Sequence, residues 1–167
     1  MIREFKDKYP VISDSAYIAD TALIIGDVEI GEDSSVWFGS VIRGDVNHIR
    51  IGARTNVQDM TMIHVSSRTY PTILEDEITI GHRVTLHGCQ VESRCLIGIG
   101  AILMDGVRVG NNSLVGAGSL VTPGTQVPPR SLVLGSPAKV KRGLTDEELD
   151  LLDRSWRNYT ELKKHYK

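Results

Sequence analysis

Aromatic side chains are scarce: Phe, Trp and Tyr together make up 5% of the 167 residues. That scarcity argues against a sandwich packed around a bulky aromatic core. Gly, by contrast, numbers 16, which suits a regular, tightly wound backbone. Cysteine is nearly absent. Cys89 and Cys95 are too few for a disulfide framework and fit small buried side chains in a reducing compartment. No apolar run reaches the length that crosses a membrane. The opening MIREFKDKYP is charged and lacks the apolar stretch of a secretory signal, so the expected setting is the cytoplasm. Net charge is −2 with a pI near 6.2, and no excess of positive charge points to a nucleic-acid or membrane partner. The length accommodates one core rather than two ordinary domains.

What the chain does have is a repeat. Aliphatic residues recur every six positions at Ile12, Ile18, Ile24, Ile30, Val36 and Ile42. The register resumes at Ile51, Val57 and Ile63, then at Leu74, Ile80 and Leu86. It finishes through Val91, Ile97, Leu103, Val109, Val115, Val121, Val127 and Val133. Four residues after most of these stands a small or β-branched side chain, such as Ser34, Ser40, Thr55, Thr61, Ser113 or Ser119. An amphipathic helix repeats at 3.6 and cannot hold a spacing of six for so long. The pattern therefore predicts an all-β parallel β-helix: three short flat strands per coil, aliphatic side chains inside a narrow prism, small residues at its corners. The repeat positions, taken in threes, give about seven coils over residues 1–140.

Two interruptions, at 43–50 around Asn47 and His48 and at Ser66–Pro71, read as loops thrown out from a corner. Beyond Lys139 the pattern changes. Thr145 followed by Glu148 forms a capping-box signature. Leu149, Leu152, Trp156, Tyr159, Leu162 and Tyr166 then make one helical stripe. Residues 141–167 are thus expected to form a C-terminal α-helix packed on the β-helix or on a neighbouring subunit.

The register also sorts the histidines. Arg43, His64 and His87 each follow the aliphatic residue that ends a triplet, so they should form one outward column. His64 and His87 would lie one strand apart, within reach of a single ion at about 2.0–2.1 Å per bond. His82 follows Ile80 by two and belongs to another edge, above Asp59. A single outward histidine is ordinarily a solvated side chain. Two in one column with a third at a complementary edge point to a metal site, completed when three prisms assemble and His82 comes from the adjacent chain. His48 and His165 have no such partners and read as surface residues.

Ile42-Arg43-Gly44-Asp45, Asn56-Val57-Gln58-Asp59, His64 and the run from Gly81 to Cys89 together resemble the gamma-class carbonic anhydrase family, over nearly the whole chain. That resemblance implies a left-handed coil and a homotrimer with metal sites at its interfaces. Zinc, with iron or cobalt as alternatives, would be held by His64, His82 and His87. The implied activity is reversible hydration of CO2 to bicarbonate by a metal-bound hydroxide. The resemblance also implies an interface ion pair between Arg43 and Asp59, with Asp45 in the same network, and a hydrogen-bonding role for Gln58 beside the metal. The archetype's proton-shuttling glutamates have no counterpart in the two inserted segments, which leaves Tyr159 as a candidate proton carrier. Two other readings compete: a coenzyme A-dependent acyltransferase using one histidine as general base, and a metal-binding assembly protein with little turnover.

Overall fold

The computed structural model describes residues 1–166 and is a β-helix of about seven turns with one long helix at its C-terminal end. One face stacks Tyr17–Ile18, Ser35–Val36, Asn56–Val57, Thr79–Ile80, Leu96–Ile97, Leu114–Val115 and Ser131–Gly135 in parallel register. The other two faces are joined into a single sheet because Leu23–Ile30 and Val41–Ile51 run without a break around a corner. The aliphatic positions predicted to point inward do so: Ile24, Ile42, Ile63, Leu86, Leu103 and Val121 are fully buried and stack one per coil. Removing that apolar surface from water, at about 25 cal/mol per Å², is the main stabilising contribution.

The small residues at the corners contribute as well as fit. Ser40 donates its hydroxyl to the Gln58 carbonyl at 2.8 Å and accepts the Thr61 N–H at 3.2 Å. Thr55 likewise donates to the Glu75 carbonyl at 2.8 Å and accepts the Ile78 N–H at 3.1 Å. Each such hydroxyl stitches its coil to the next where the strand ladder lapses. Left-handed backbone also recurs at the corners. At one edge Asp33, Arg54, Glu77, Arg94, Asn112 and Arg130 all have φ between 53° and 61°.

That edge is where the helix, α1 (Asp146–Leu162), lies. Before it, an antiparallel strand, Ala138–Gly143, folds back on Ser131–Gly135. Thr145 caps α1, with its hydroxyl accepting from the Glu148 N–H and Glu148 accepting from the Thr145 N–H. The helix then descends the column. Asp146 meets Arg130, Asp153 takes both Arg94 nitrogens at 2.9–3.1 Å, Trp156 lies under the Arg54 guanidinium, and Lys163 reaches Asp33 at 2.9 Å. The lengths agree: 17 helical residues span about 25 Å, and the five coil steps from Arg130 to Asp33 span about 24 Å.

Two expectations need correction. Residues 43–50 are not a loop. They lie within the strand Val41–Ile51, whose first part pairs with Leu23–Gly26 and whose last part pairs with Val28–Ile30. The register shifts opposite Asp27, so the extra residues are absorbed as a bulge that keeps the ladder on both sides. The helical stripe also ends differently. Leu162 is 40% exposed, whereas Lys163, two turns on from Trp156, is only 3% exposed. A lysine is tolerated there because its ammonium reaches the Ser15 carbonyl at 2.7 Å as well as Asp33. Ser66–Pro71 does leave the sheet as expected.

Leu103→Ala should lower stability by about 2–5 kcal/mol in denaturant unfolding, since the prism has no slack to collapse into the cavity. Glu148 is held at about 2, below its ordinary 4.5, by the Arg142 guanidinium and the Thr145 N–H. A lowered carboxyl stabilises the fold above its unfolded value and stops doing so as pH falls through the folded one. Glu148→Gln is therefore expected to be less stable than the native chain at neutral pH, and the two unfolding midpoints should converge between pH 4.5 and 2.

Candidate metal centre

Three histidines occupy two corners of the prism. His64 and His87 end the strands Met62–His64 and Thr85–His87 and stand directly opposite each other in the ladder. Their rings face one another, with His64 Nδ1 3.2 Å from His87 Nε2. The far nitrogen of each ring meets a carboxylate: His64 Nε2 lies 2.9 Å from Asp45 Oδ1, and His87 Nδ1 lies 2.6 Å from Asp105 Oδ1. Asp45 reaches His64 because the bulge in Val41–Ile51 turns it back toward that strand, and its other oxygen pairs with Arg43.

Burial disfavours the charge on Asp45, but hydrogen bonds from His64 and Arg43 more than offset it and hold the carboxyl below its usual range. Asp105 behaves in the same way: burial opposes its charge, and hydrogen bonds from Ser66 and His87 overcome that. Both groups are therefore ionised at neutral pH and can only accept. Each facing histidine must then donate from its outer nitrogen. In the neutral tautomers the two inner nitrogens are both lone-pair acceptors, 3.2 Å apart.

The third histidine stands at the neighbouring corner, between the face carrying Thr79–Ile80 and the face carrying Thr85–His87. His82 Nδ1 lies 2.7 Å from Asp59 Oδ2, which comes from the coil before. Its Nε2 is on the far side of the ring from that carboxylate. Beside this corner the side chain of Gln58 is 6% exposed and donates to Asn56 Oδ1 at 3.1 Å. Asn56 in turn donates to Thr79 Oγ1 at 3.0 Å, so the amide is held by a short buried chain of hydrogen bonds. Gln58 lines a recess of about 350 Å³ together with Leu96, Leu114 and Ser155 of α1.

The predicted residues thus fall into two groups. Arg43, Asp45, His64 and His87 meet at one corner, and Asp59 and His82 at the other, with Gln58 alongside. Within one chain Arg43 pairs with Asp45, and Asp59 with His82, so an Arg43–Asp59 pair would have to cross between subunits. Among the described residues, no three His, Cys, Asp or Glu side chains of one chain converge on a common point. Tyr159 packs edge-on against Trp37 at 5.4 Å, and burial followed by the nearby Asp59 charge raises its pKa above 10.

Two residues at this site escaped the sequence reading. Asp105 lies 18 residues beyond His87, but the coil there advances by 17, Leu86 pairing with Leu103, so the repeat sets Met104 rather than Asp105 above His87 and gives no signal for the carboxylate. Ser66, which donates to Asp105 Oδ2 at 2.7 Å, comes from the inserted segment, where the repeat offers no register at all.

Comparison with known proteins agrees with this architecture. The family model described as "Bacterial transferase hexapeptide (six repeats)" matches residues 88–123. A protein named carbonic anhydrase from Geobacillus kaustophilus is 50% identical over 167 residues, spanning all of this chain and 91% of that one. The protein named gamma carbonic anhydrase 1, mitochondrial, from Arabidopsis thaliana is 45% identical over 161 residues, but the chain spans only 58% of its length. A crystal structure of a putative acetyltransferase from Bacillus cereus superposes with a TM-score of 0.97 at 48% identity, over 99% of this chain and 95% of that one. The class of protein defined by the prism is the hexapeptide-repeat β-helix. Within it, the chain belongs to the gamma carbonic anhydrase family.

No helix among the described residues is long and apolar enough to cross a membrane. Both cysteines are buried, and burial pushes each thiol up to about 12. Neither should react with Ellman's reagent in the native protein at pH 8, and two thiols per chain should react after unfolding in guanidinium. Rapid labelling of the folded protein would contradict this placement.

Proposed function

We propose that the protein is a gamma-class carbonic anhydrase of the cytoplasm, a homotrimer that interconverts CO2 and bicarbonate at metal centres between subunits. The observation that carries this reading is the pair of facing nitrogens on His64 and His87. Two lone pairs 3.2 Å apart repel unless a proton or a cation lies between them. Two nitrogens binding one tetrahedral ion at 2.0–2.1 Å would be separated by about 3.3 Å, so the donor set fits zinc, with iron or cobalt as alternatives. His82 of a neighbouring chain would supply the third nitrogen. The metal would act as a Lewis acid that makes an oxygen nucleophile available at neutral pH.

The chain's own groups do the rest. Asp45 and Asp59 hold His64 and His82 in the tautomers whose remaining nitrogens are free to bind. Gln58, with its Nε2 committed to Asn56, offers its carbonyl oxygen to a protonated oxygen of substrate or product. Arg43, 41% exposed while bound to Asp45, is placed to pair with Asp59 of the adjacent subunit. Assembly is supported by the outward side chains between the two corners. Met60, Met62, Ile99 and Ile102 are between 38% and 65% exposed and form an apolar strip on the face that separates His82 from His64 and His87.

The metal-replete protein should accelerate CO2 hydration in a stopped-flow pH-indicator assay. His82→Ala should reduce that activity by more than about 100-fold, beyond the range typical of residues that only support a ligand. Removal of metal by a chelator should have the same effect. Absence of hydration by metal-replete trimer would overturn the proposal. Metal-independent acyl transfer from coenzyme A thioesters would favour the reading suggested by the transferase name of the Bacillus cereus relative.

A further inference from the structure

We infer that Asp105, gripped by Ser66 of the inserted segment, is the positioning residue that orients His87 for metal binding. The inference rests on the reading of His87 as a ligand and assigns work to an inserted segment in which the sequence singles out no functional residue. One Asp105 oxygen accepts from His87 Nδ1 at 2.6 Å and the other from the Ser66 hydroxyl at 2.7 Å, so both lone-pair faces of the carboxylate are committed. Its acceptor role forces the Nδ1–H tautomer on His87 and leaves Nε2 as the nitrogen that faces His64.

The segment that brings Ser66 to this point is anchored rather than loose. The Ser66 N–H donates to the Tyr70 carbonyl at 2.9 Å and closes the loop on itself. Asn47, from the strand bulge, donates to the Ser66 carbonyl at 3.1 Å. At the loop's return Thr72, fully buried, donates to the His64 carbonyl at 2.6 Å and accepts the Gly88 N–H at 3.1 Å, tying together the two histidine strands. Tyr70 lies across two corner glycines. A Cβ on Gly106 would stand 3.2 Å from the Tyr70 ring.

Gly88 is the more telling position. Its φ is +57°, and a Cβ there would come within 2.5 Å of Asp105 Oδ1 and 2.8 Å of the Tyr70 Cβ. Only a residue without a side chain lets the carboxylate and the loop close over His87 together. Bulge, loop and corner glycines thus close around one carboxylate. A histidine ligand whose outer nitrogen is fixed in this way loses little freedom when it binds a metal.

The test is Co(II) binding to the full-length protein, read by chelator competition and by the visible absorption of the bound ion. Asp105→Ala should raise the Co(II) dissociation constant by about 10–100-fold and alter the absorption band, read on variant protein that keeps the wild-type circular dichroism. Ser66→Ala should shift affinity in the same direction by a smaller factor, because the carboxylate remains but is held on one side only. Wild-type affinity and spectrum in Asp105→Ala would overturn the inference. Should Asp105→Ala fail to fold, Ser66→Ala decides by the same measurement, and unchanged affinity there overturns it. Wild-type protein that takes up no Co(II) would overturn the reading of His87 as a ligand, a result separable from any difference between variants.

Discussion

Successive coils sit one strand spacing apart, about 4.8 Å, because every backbone group on a face must pair with the coil above and below. That constraint governs the rest of the molecule. It makes the interior a stack of aliphatic layers, one residue per face per coil, with no room for large variation in side-chain size. It puts the residue after each inward aliphatic at a predictable outward height. It also sets the pitch of the corner column against which α1 lies, so that a helix of ordinary rise meets one charged corner after another from Arg130 down to Asp33.

The candidate metal centre is a consequence of the same spacing. Two histidines directly opposite in a parallel ladder are close enough for a shared ion only if their rings turn toward each other, and in strands they are free to turn. The carboxylates remove that freedom. Asp45 arrives through a strand bulge, Asp105 from the next coil, and Asp59 from the coil before His82. Each histidine is therefore braced from outside by a group one coil away or by a local irregularity, and the regular scaffold supplies the rigidity that makes such bracing effective.

The places where the repeat breaks are also the places where the chemistry is arranged. The insertion at 43–50 was expected to leave the coil, yet it stays in the sheet as a bulge because strands on both sides of it find partners. What the bulge accomplishes is to bring Asp45 onto His64 and Asn47 onto Ser66. The insertion at Ser66–Pro71 leaves the coil and folds back over Gly88 and Gly106. Neither outcome has a periodic signal, since a bulge and a loop contain the same polar residues and differ only in which partners their backbones meet.

The amino-acid sequence by itself determined the coil, the layers of its core, the capped helix, and the division of the three histidines into a pair and a single. All of these follow from local periodicity, which survives in one dimension. Only the tertiary structure decided which carboxylate serves which histidine, that Lys163 rather than Leu162 turns inward, and that Asp105 and Ser66 belong to the site at all. Those outcomes depend on contacts between residues about 20 to 150 positions apart. Such pairings are settled by the three-dimensional path of the chain at its irregular points, where the six-residue register no longer applies.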